Sequence, residues 1–303
     1  MQVLELGFLG LSTNSCAALS AVFLQMPALS QLDLGCNLID DGGVEVLVRG
    51  LAECKHLQFV SLPFNRIGDN GLERLIQGLP ASVDDLDLRE NEIALARQLP
   101  LLRFPELNLW NNPLFLDGPR VIAESFANPA CRLESLNLNR TNIGDEGAAI
   151  LATSLKSNRR LREVYLTDSN ITETGWNAFR AVLCDTTSIN ATHGSNHSFR
   201  YLGGTNQSIL QDVETLLELN HDQNKSRVAA KKILQTHHHL DMKPLFDRKL
   251  DLLPHVVAWL ERFAESRLDH KLSTIYEFAR AMPMGVVNGL VGKKDGKKRR
   301  RNS

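Results

Sequence analysis

The side chains that could do chemistry sit in three places, and two of these are spaced wrongly for it. His237, His238 and His239 are consecutive. On a helix adjacent side chains fan out by about 100°, so three in a row cannot converge on one ion as a tetrahedral zinc site requires. A helix end of cationic character is the expected role. Cys184, Asp185 and His193 are the residue types of a thiol hydrolase, but no nucleophile turn or flanking signature accompanies them, and a buried cysteine is the plainer reading. Neither GxGxxG nor GxxxxGK[ST] occurs, and Gly203-Gly204 alone marks a loop, so nucleotide binding draws no support. No catalytic residue, metal or cofactor is expected, and the chain is not expected to be an enzyme. The third place is the run KKDGKKRRR at 293–301. Dense positive charge at a chain end attracts an acidic groove or phosphates, so Lys297, Lys298, Arg299, Arg300 and Arg301 form a candidate nuclear-import signal, with only weak nucleic-acid contact expected. The alternative is a solvated tail without a receptor.

Charged and aromatic residues also recur at regular intervals, and the elements that carry them explain why. Six segments repeat one pattern: LSQLDLGCNLI (29–39), LQFVSLPFNRI (57–67), VDDLDLRENEI (83–93), FPELNLWNNPL (104–114), LESLNLNRTNI (133–143) and LREVYLTDSNI (161–171). MQVLELGFLGL (1–11) is a weaker copy. In L-x-x-L-x-L-x-x-N-x-I the apolar pairs, such as Leu32/Leu34 and Leu136/Leu138, alternate with polar residues at period two, the mark of a short half-buried strand. The following Asn (Asn37, Asn65, Asn91, Asn112) stands where the chain turns out of the strand, and its amide can satisfy backbone groups buried between turns. Thr141 and Ser169 take that place in the last two copies, so the ladder should weaken there. Acidic-Gly signals (Gly68-Asp69, Gly144-Asp145) and helical spacing such as Leu72, Leu75, Ile76 and Leu79 complete a strand, turn, helix unit.

Units of 28 or 29 residues with a full helix resemble the ribonuclease-inhibitor-like class of leucine-rich repeats, found also in the sensor arms of nucleotide-binding immune receptors and in the Ran GTPase-activating protein. The resemblance covers roughly residues 1–185. It implies an α/β solenoid with parallel strands on a concave face and helices on a convex one, and such a face usually binds another protein. The third unit departs from the pattern. It is only 21 residues long, and Pro100 and Pro105 leave little room for a helix. The chain also starts almost on a strand, without the polar unit that would cover a first core edge, as expected of an N-terminus that is incomplete or that pairs with another chain.

Strand residues pointing away from the leucines should line the concave face: Phe64, Asp85, Asp87, Arg89, Glu90, Glu106, Trp110, Arg140, Tyr165 and Asp168, with Asp33, Phe59, Asn111, Asn137 and Glu163 beside them. The centre of this strip is acidic with aromatic residues among the charges. Trp, Tyr and Arg carry much of the energy of protein interfaces, and acidic groups speed encounter with a basic partner. The expected function is a non-enzymatic scaffold or inhibitor that holds a basic protein there; the alternative is a GTPase-activating or other regulatory protein of the same repeat class. In the alternative a loop arginine or asparagine would complete a partner's active site, and no residue here can be matched to that role.

Composition fits an intracellular binding protein, cytoplasmic or nuclear. Basic and acidic residues total 34 and 35, but the positive excess is confined to the tail. No apolar run approaches the roughly 20 residues of a membrane helix, and Glu5 interrupts the N-terminal apolar segment, so neither a membrane partner nor a secretory signal is expected. Five cysteines without CxxC spacing argue for reduced thiols. The domain plan is repeats over 1–185, an irregular last repeat and loop over 186–206 with a strand near Ile189 and Ala191, a helical extension over 207–291 that caps the solenoid, and a basic disordered tail over 292–303. Within the extension, helices are expected around Val213 and Leu217, around Val228 and Ile233, and over 252–268 and 272–281.

Overall fold

A computed structural model describes residues 2–101, 103–203 and 211–237. The helices expected over 252–268 and 272–281, and the basic tail, lie outside these residues. The chain divides into two compact units, residues 1–183 with 196–221, and residues 184–195 with those from 222 onward.

In the first unit the alternating leucines make eight short strands: β1 (Val3–Glu5), β2 (Gln31–Asp33), β3 (Phe59–Ser61), β4 (Asp85–Asp87), β5 (Glu106–Asn108), β6 (Ser135–Asn137), β7 (Glu163–Tyr165) and β8 (Tyr201–Leu202). All are parallel and follow one another across the sheet in chain order, as a solenoid requires. Leu4, Leu32, Val60, Leu86, Leu107, Leu136, Val164 and Leu202 meet in one row. All but Leu4 are buried, and each such side chain stabilises the fold by about 1.5–3 kcal/mol.

The return segments are α1 (Thr13–Phe23), α2 (Asp41–Leu51), α3 (Asp69–Gly78), α4 (Gly118–Ala127), α5 (Gly144–Leu155), α6 (Glu173–Leu183) and α8 (Gln211–Leu219), while α7 (Ile189–Gly194) belongs to the second unit. Helices α1, α2 and α3 pack side by side, as do α4, α5, α6 and α8, and α1 and α2 approach so closely that a Cβ on Gly50 would lie 2.2 Å from the Ser20 carbonyl oxygen. Only glycine fits there.

The asparagine ladder binds the turns together. The Asn65 amide nitrogen donates to the carbonyls of Leu34, Leu62 and Pro63, and its oxygen accepts from the Ile39 N–H. Asn37, Asn91 and Asn112 do the same in their units. The ladder thins where the sequence predicts: Thr141 donates to the Leu138 carbonyl, and Ser169 to those of Leu138 and Thr167.

Among the described residues no helix stands between β4 and β5, in keeping with Pro100 and Pro105. The segment is strapped to α3 instead. The Asp69 carboxylate, in the first turn of α3, accepts from the N–H groups of Ala94, Leu95 and Ala96. Arg97 reaches Asn70 and Glu73, and the Arg103 guanidinium donates to the carbonyls of Ile76, Leu79 and Pro80 at the other end of α3.

Two expectations about the C-terminal region need correction. Ile189 and Ala191 are in helix α7, capped by Ser188, whose hydroxyl accepts from the Ala191 N–H; the last strand among the described residues is β8. It forms because Phe199 and Leu202 repeat the spacing of Leu161 and Val164 and are buried like them. The extension is also not one body. Val213 and Leu217 of α8 join the repeat core, and Arg180 of α6 pairs with Asp212 at 2.7 Å. The next helix, α9 (Lys225–Thr236), lies in the second unit beside α7. There His237, buried at the end of α9, meets the Thr192 hydroxyl at 2.6 Å. That hydroxyl gives its proton to the Asp185 carbonyl, so the His237 Nε2–H donates to it. Burial holds the imidazole below its usual pKa, which disfavours a charge on His237; His238 and His239 lie outside the described residues.

Candidate functional site

Parallel pairing aligns the outward residues of the strands in two rows. Phe59, Asp85, Glu106, Ser135, Glu163 and Tyr201 form the first; Ser61, Asp87, Asn108, Asn137 and Tyr165 form the second. At the centre of the first row Asp85 stands opposite Glu106 on neighbouring strands, ~4.8 Å apart in backbone spacing. Like charges in register repel. Burial first, then Glu106 and Asp87, push the Asp85 carboxyl up from its ordinary 3.8 to about 6.

Aromatic residues flank this acidic centre. The rings of Tyr165 and Tyr201 are tilted against each other with centroids 4.7 Å apart. The Tyr165 hydroxyl donates to Glu163 Oε2 at 3.0 Å. Burial, that hydrogen bond and the Glu163 charge push the phenol up to about 12, so it stays a donor. Just beyond β5 the Arg140 guanidinium lies 5.4 Å from the centre of the half-buried Trp110 ring, with its Nε 3.3 Å from Asp168. This cation–π contact holds the indole from one face.

The expected site residues divide by position. Asp85, Glu106 and Tyr165 are on the strands and half-buried or exposed. Asp87 is not available to a partner: it is 4% exposed, and Arg89 engages its carboxylate through Nε at 2.8 Å and through a terminal nitrogen at 2.6 Å. The two residues pair with each other along β4 and the turn that follows it. Phe64, Glu90, Arg140 and Asp168 are not strand residues but occupy the turns that follow β3, β4, β6 and β7, at left-handed φ of 52–56°. They form a rim beside the strip, because every unit must reverse there to place its Asn, Thr or Ser inward. Trp110 lies two residues beyond β5 and bridges strip and rim. Tyr201 and Asn108 belong to the face although they were not expected there. The Phe199-x-x-Leu202 spacing was the signal for Tyr201, and the row position between Asp87 and Asn137 for Asn108. Lys297, Lys298, Arg299, Arg300 and Arg301 lie outside the described residues, and among those described no group of three or more His, Cys, Asp or Glu could hold a metal ion.

A family model described as Leucine Rich repeat matches residues 26–48, 53–75 and 131–152. The ribonuclease inhibitors of Sus scrofa and Mus musculus are each 29% identical over 176 residues. The chain carries leucine-rich repeats and is similar over this segment to the ribonuclease inhibitors. The matched segment is 57% of this repeat protein and 34% of each inhibitor, so the chain spans about a third of the length of these relatives. The NACHT, LRR and PYD domains-containing protein 3 of Mus musculus is 27% identical over 175 residues, 58% of this chain and 15% of its own. Among the described residues no helix is long and apolar enough to cross a membrane.

Proposed function

We propose that this protein is a non-enzymatic binding scaffold whose concave strip holds a basic protein segment. The observation that supports this most directly is the Asp85–Glu106 register. Two carboxylates held opposite each other weaken the fold on their own account, and a cationic partner relieves that repulsion as it docks. Trp110, just beyond β5, and the Tyr165–Tyr201 pair on β7 and β8 supply large, pre-positioned aromatic surfaces of the kind that anchor interfaces. Relatives named as ribonuclease inhibitors agree with a role in which holding the partner is itself the function.

The test is affinity capture with the full chain, identification of the captured protein by mass spectrometry, and titration of that protein against variants. Trp110→Ala and Tyr165→Ala should each weaken binding by about 2 kcal/mol, the usual threshold for an interface hot spot. Added salt should slow association. A double variant that binds as tightly as wild type, with an unchanged circular dichroism spectrum, would overturn the reading.

A further inference from the structure

The edge where the chain runs into its strands has the opposite charge from the concave centre. Arg103, Arg132 and Arg160 stand three residues before β5, β6 and β7, so they fall at one register in three successive units. Arg162 and Arg200 immediately precede β7 and β8. The nearest members of the column are already engaged. Arg103 caps the end of α3 through the carbonyls of Ile76, Leu79 and Pro80, and Arg132 pairs with Asp84 at 3.1 Å.

Arg160 is placed to do for α4 what Arg103 does for α3, but that work has passed to another side chain. The Asn158 amide donates to the Phe126 carbonyl near the end of α4, while its oxygen accepts from the N–H groups of Arg160 and Leu161. The next unit uses Asn196 in the same way, on the carbonyls of Leu155 and Asn158. Among the described residues no hydrogen bond or ion pair engages the exposed Arg160 guanidinium. Its charge is felt instead at the buried Cys131 thiol, where it opposes the upward shift that burial imposes. Phe126, Cys131, Glu134, Arg159, Arg160 and Arg162 all line one pocket of about 550 Å³. Glu134 is spoken for by Arg162 at 3.4 Å, so the wall keeps a surplus of positive charge. The volume is that of a small-ligand site, and the planar guanidinium fork matches phosphate oxygens two at a time.

We propose that this pocket, between the end of α4 and the loop leading into β7, binds a small phosphate-bearing ligand with Arg160 and Arg162 as its principal contacts. The site is separate from the concave strip and needs no glycine-rich loop, because side-chain guanidinium groups take the place of backbone N–H donors. A ligand there joins two successive units and stabilises the repeat array by its own binding energy.

Isothermal titration of the full chain with inorganic pyrophosphate and, separately, with phosphoserine, at an ionic strength fixed by sodium chloride, tests the proposal. The first probe reports a free polyphosphate and the second a monoester of the kind carried on a modified side chain. Saturable binding of either is expected, at least tenfold weaker in Arg160→Gln and in Arg162→Gln, and unchanged in Trp110→Ala. Arg160 is exposed, so R160Q should fold; circular dichroism checks this. Absence of saturable binding of both probes to wild type would overturn the proposal, as would R160Q and R162Q variants that fold and bind with wild-type affinity.

Discussion

Asp85→Asn should make the protein more stable at neutral pH while weakening its hold on a basic partner. In the unfolded chain the Asp85 carboxyl ionises near 3.8; in the fold it does so at about 6. Below pH 4 both states are protonated and the residue costs nothing. Between pH 4 and 6 the folded state keeps a proton the unfolded state has released, so stability falls as pH rises through this window, and the whole penalty is in place by neutrality. Taken whole, the difference amounts to ~3 kcal/mol. Because the side chain is only half-buried, screening by solvent reduces this to ~1–2 kcal/mol. Asparagine keeps the shape and cannot ionise. Denaturant or thermal unfolding of both proteins from pH 4 to pH 7 should give matching stabilities at the acid end, with the variant ahead by ~1–2 kcal/mol at pH 7, or about 2–4 °C in midpoint for each kcal/mol. A gap that stays constant over this range, or a variant less stable than wild type at pH 7, would refute the claim that Asp85 is held against Glu106 at a cost.

Asn65→Ala should leave the Ile39 N–H without its acceptor and take one of two donors from each of the carbonyls of Leu34, Leu62 and Pro63, lowering stability by ~2–3 kcal/mol, against ~1 kcal/mol for Ser169→Ala, as read from denaturant midpoints. Equal losses would mean that the ladder does not set the stability of the turns. Asp69→Ala should release the N–H groups of Ala94, Leu95 and Ala96, so their hydrogen exchange should accelerate well before that of the β4 and β5 amides. Residues 293–301 fused to a reporter should carry it into the nucleus, and replacing Lys297, Lys298, Arg299, Arg300 and Arg301 by Ala should return it to an even distribution.

The repeats were legible in the sequence because one row of leucines and one asparagine per unit leave periodic marks, and both marks have a physical cause that tertiary context reinforces. The helix-free third unit was legible for the same reason in reverse, since Pro100 and Pro105 remove N–H groups a helix would need. What failed was finer. Asp87 and Asp85 look alike in D-L-D, and only the third dimension brings Arg89 over one of them. Phe64, Glu90, Arg140 and Asp168 read as strand residues because φ leaves no trace in residue type unless glycine or asparagine is used, and three of these four are neither Gly, Asn nor Asp. Tyr201 was hidden by a unit that spends Phe199 and Gly204 where its predecessors spend leucines. The arginine column was written plainly, three residues before β5, β6 and β7, but a column becomes visible only once register is known.

Strands stack at ~4.8 Å while helices need ~8–10 Å, so each full unit is a wedge, thick outside and thin inside, and a row of wedges bends. The unit between β4 and β5 has lost its thick end. Asp69 and Arg103 tie its loop to α3 in place of a second cylinder. The joint at which Asp85 faces Glu106 is therefore backed by a strapped loop rather than by a packed helix, and the two carboxylates repel each other over the one joint of the described repeats that has no helix behind it.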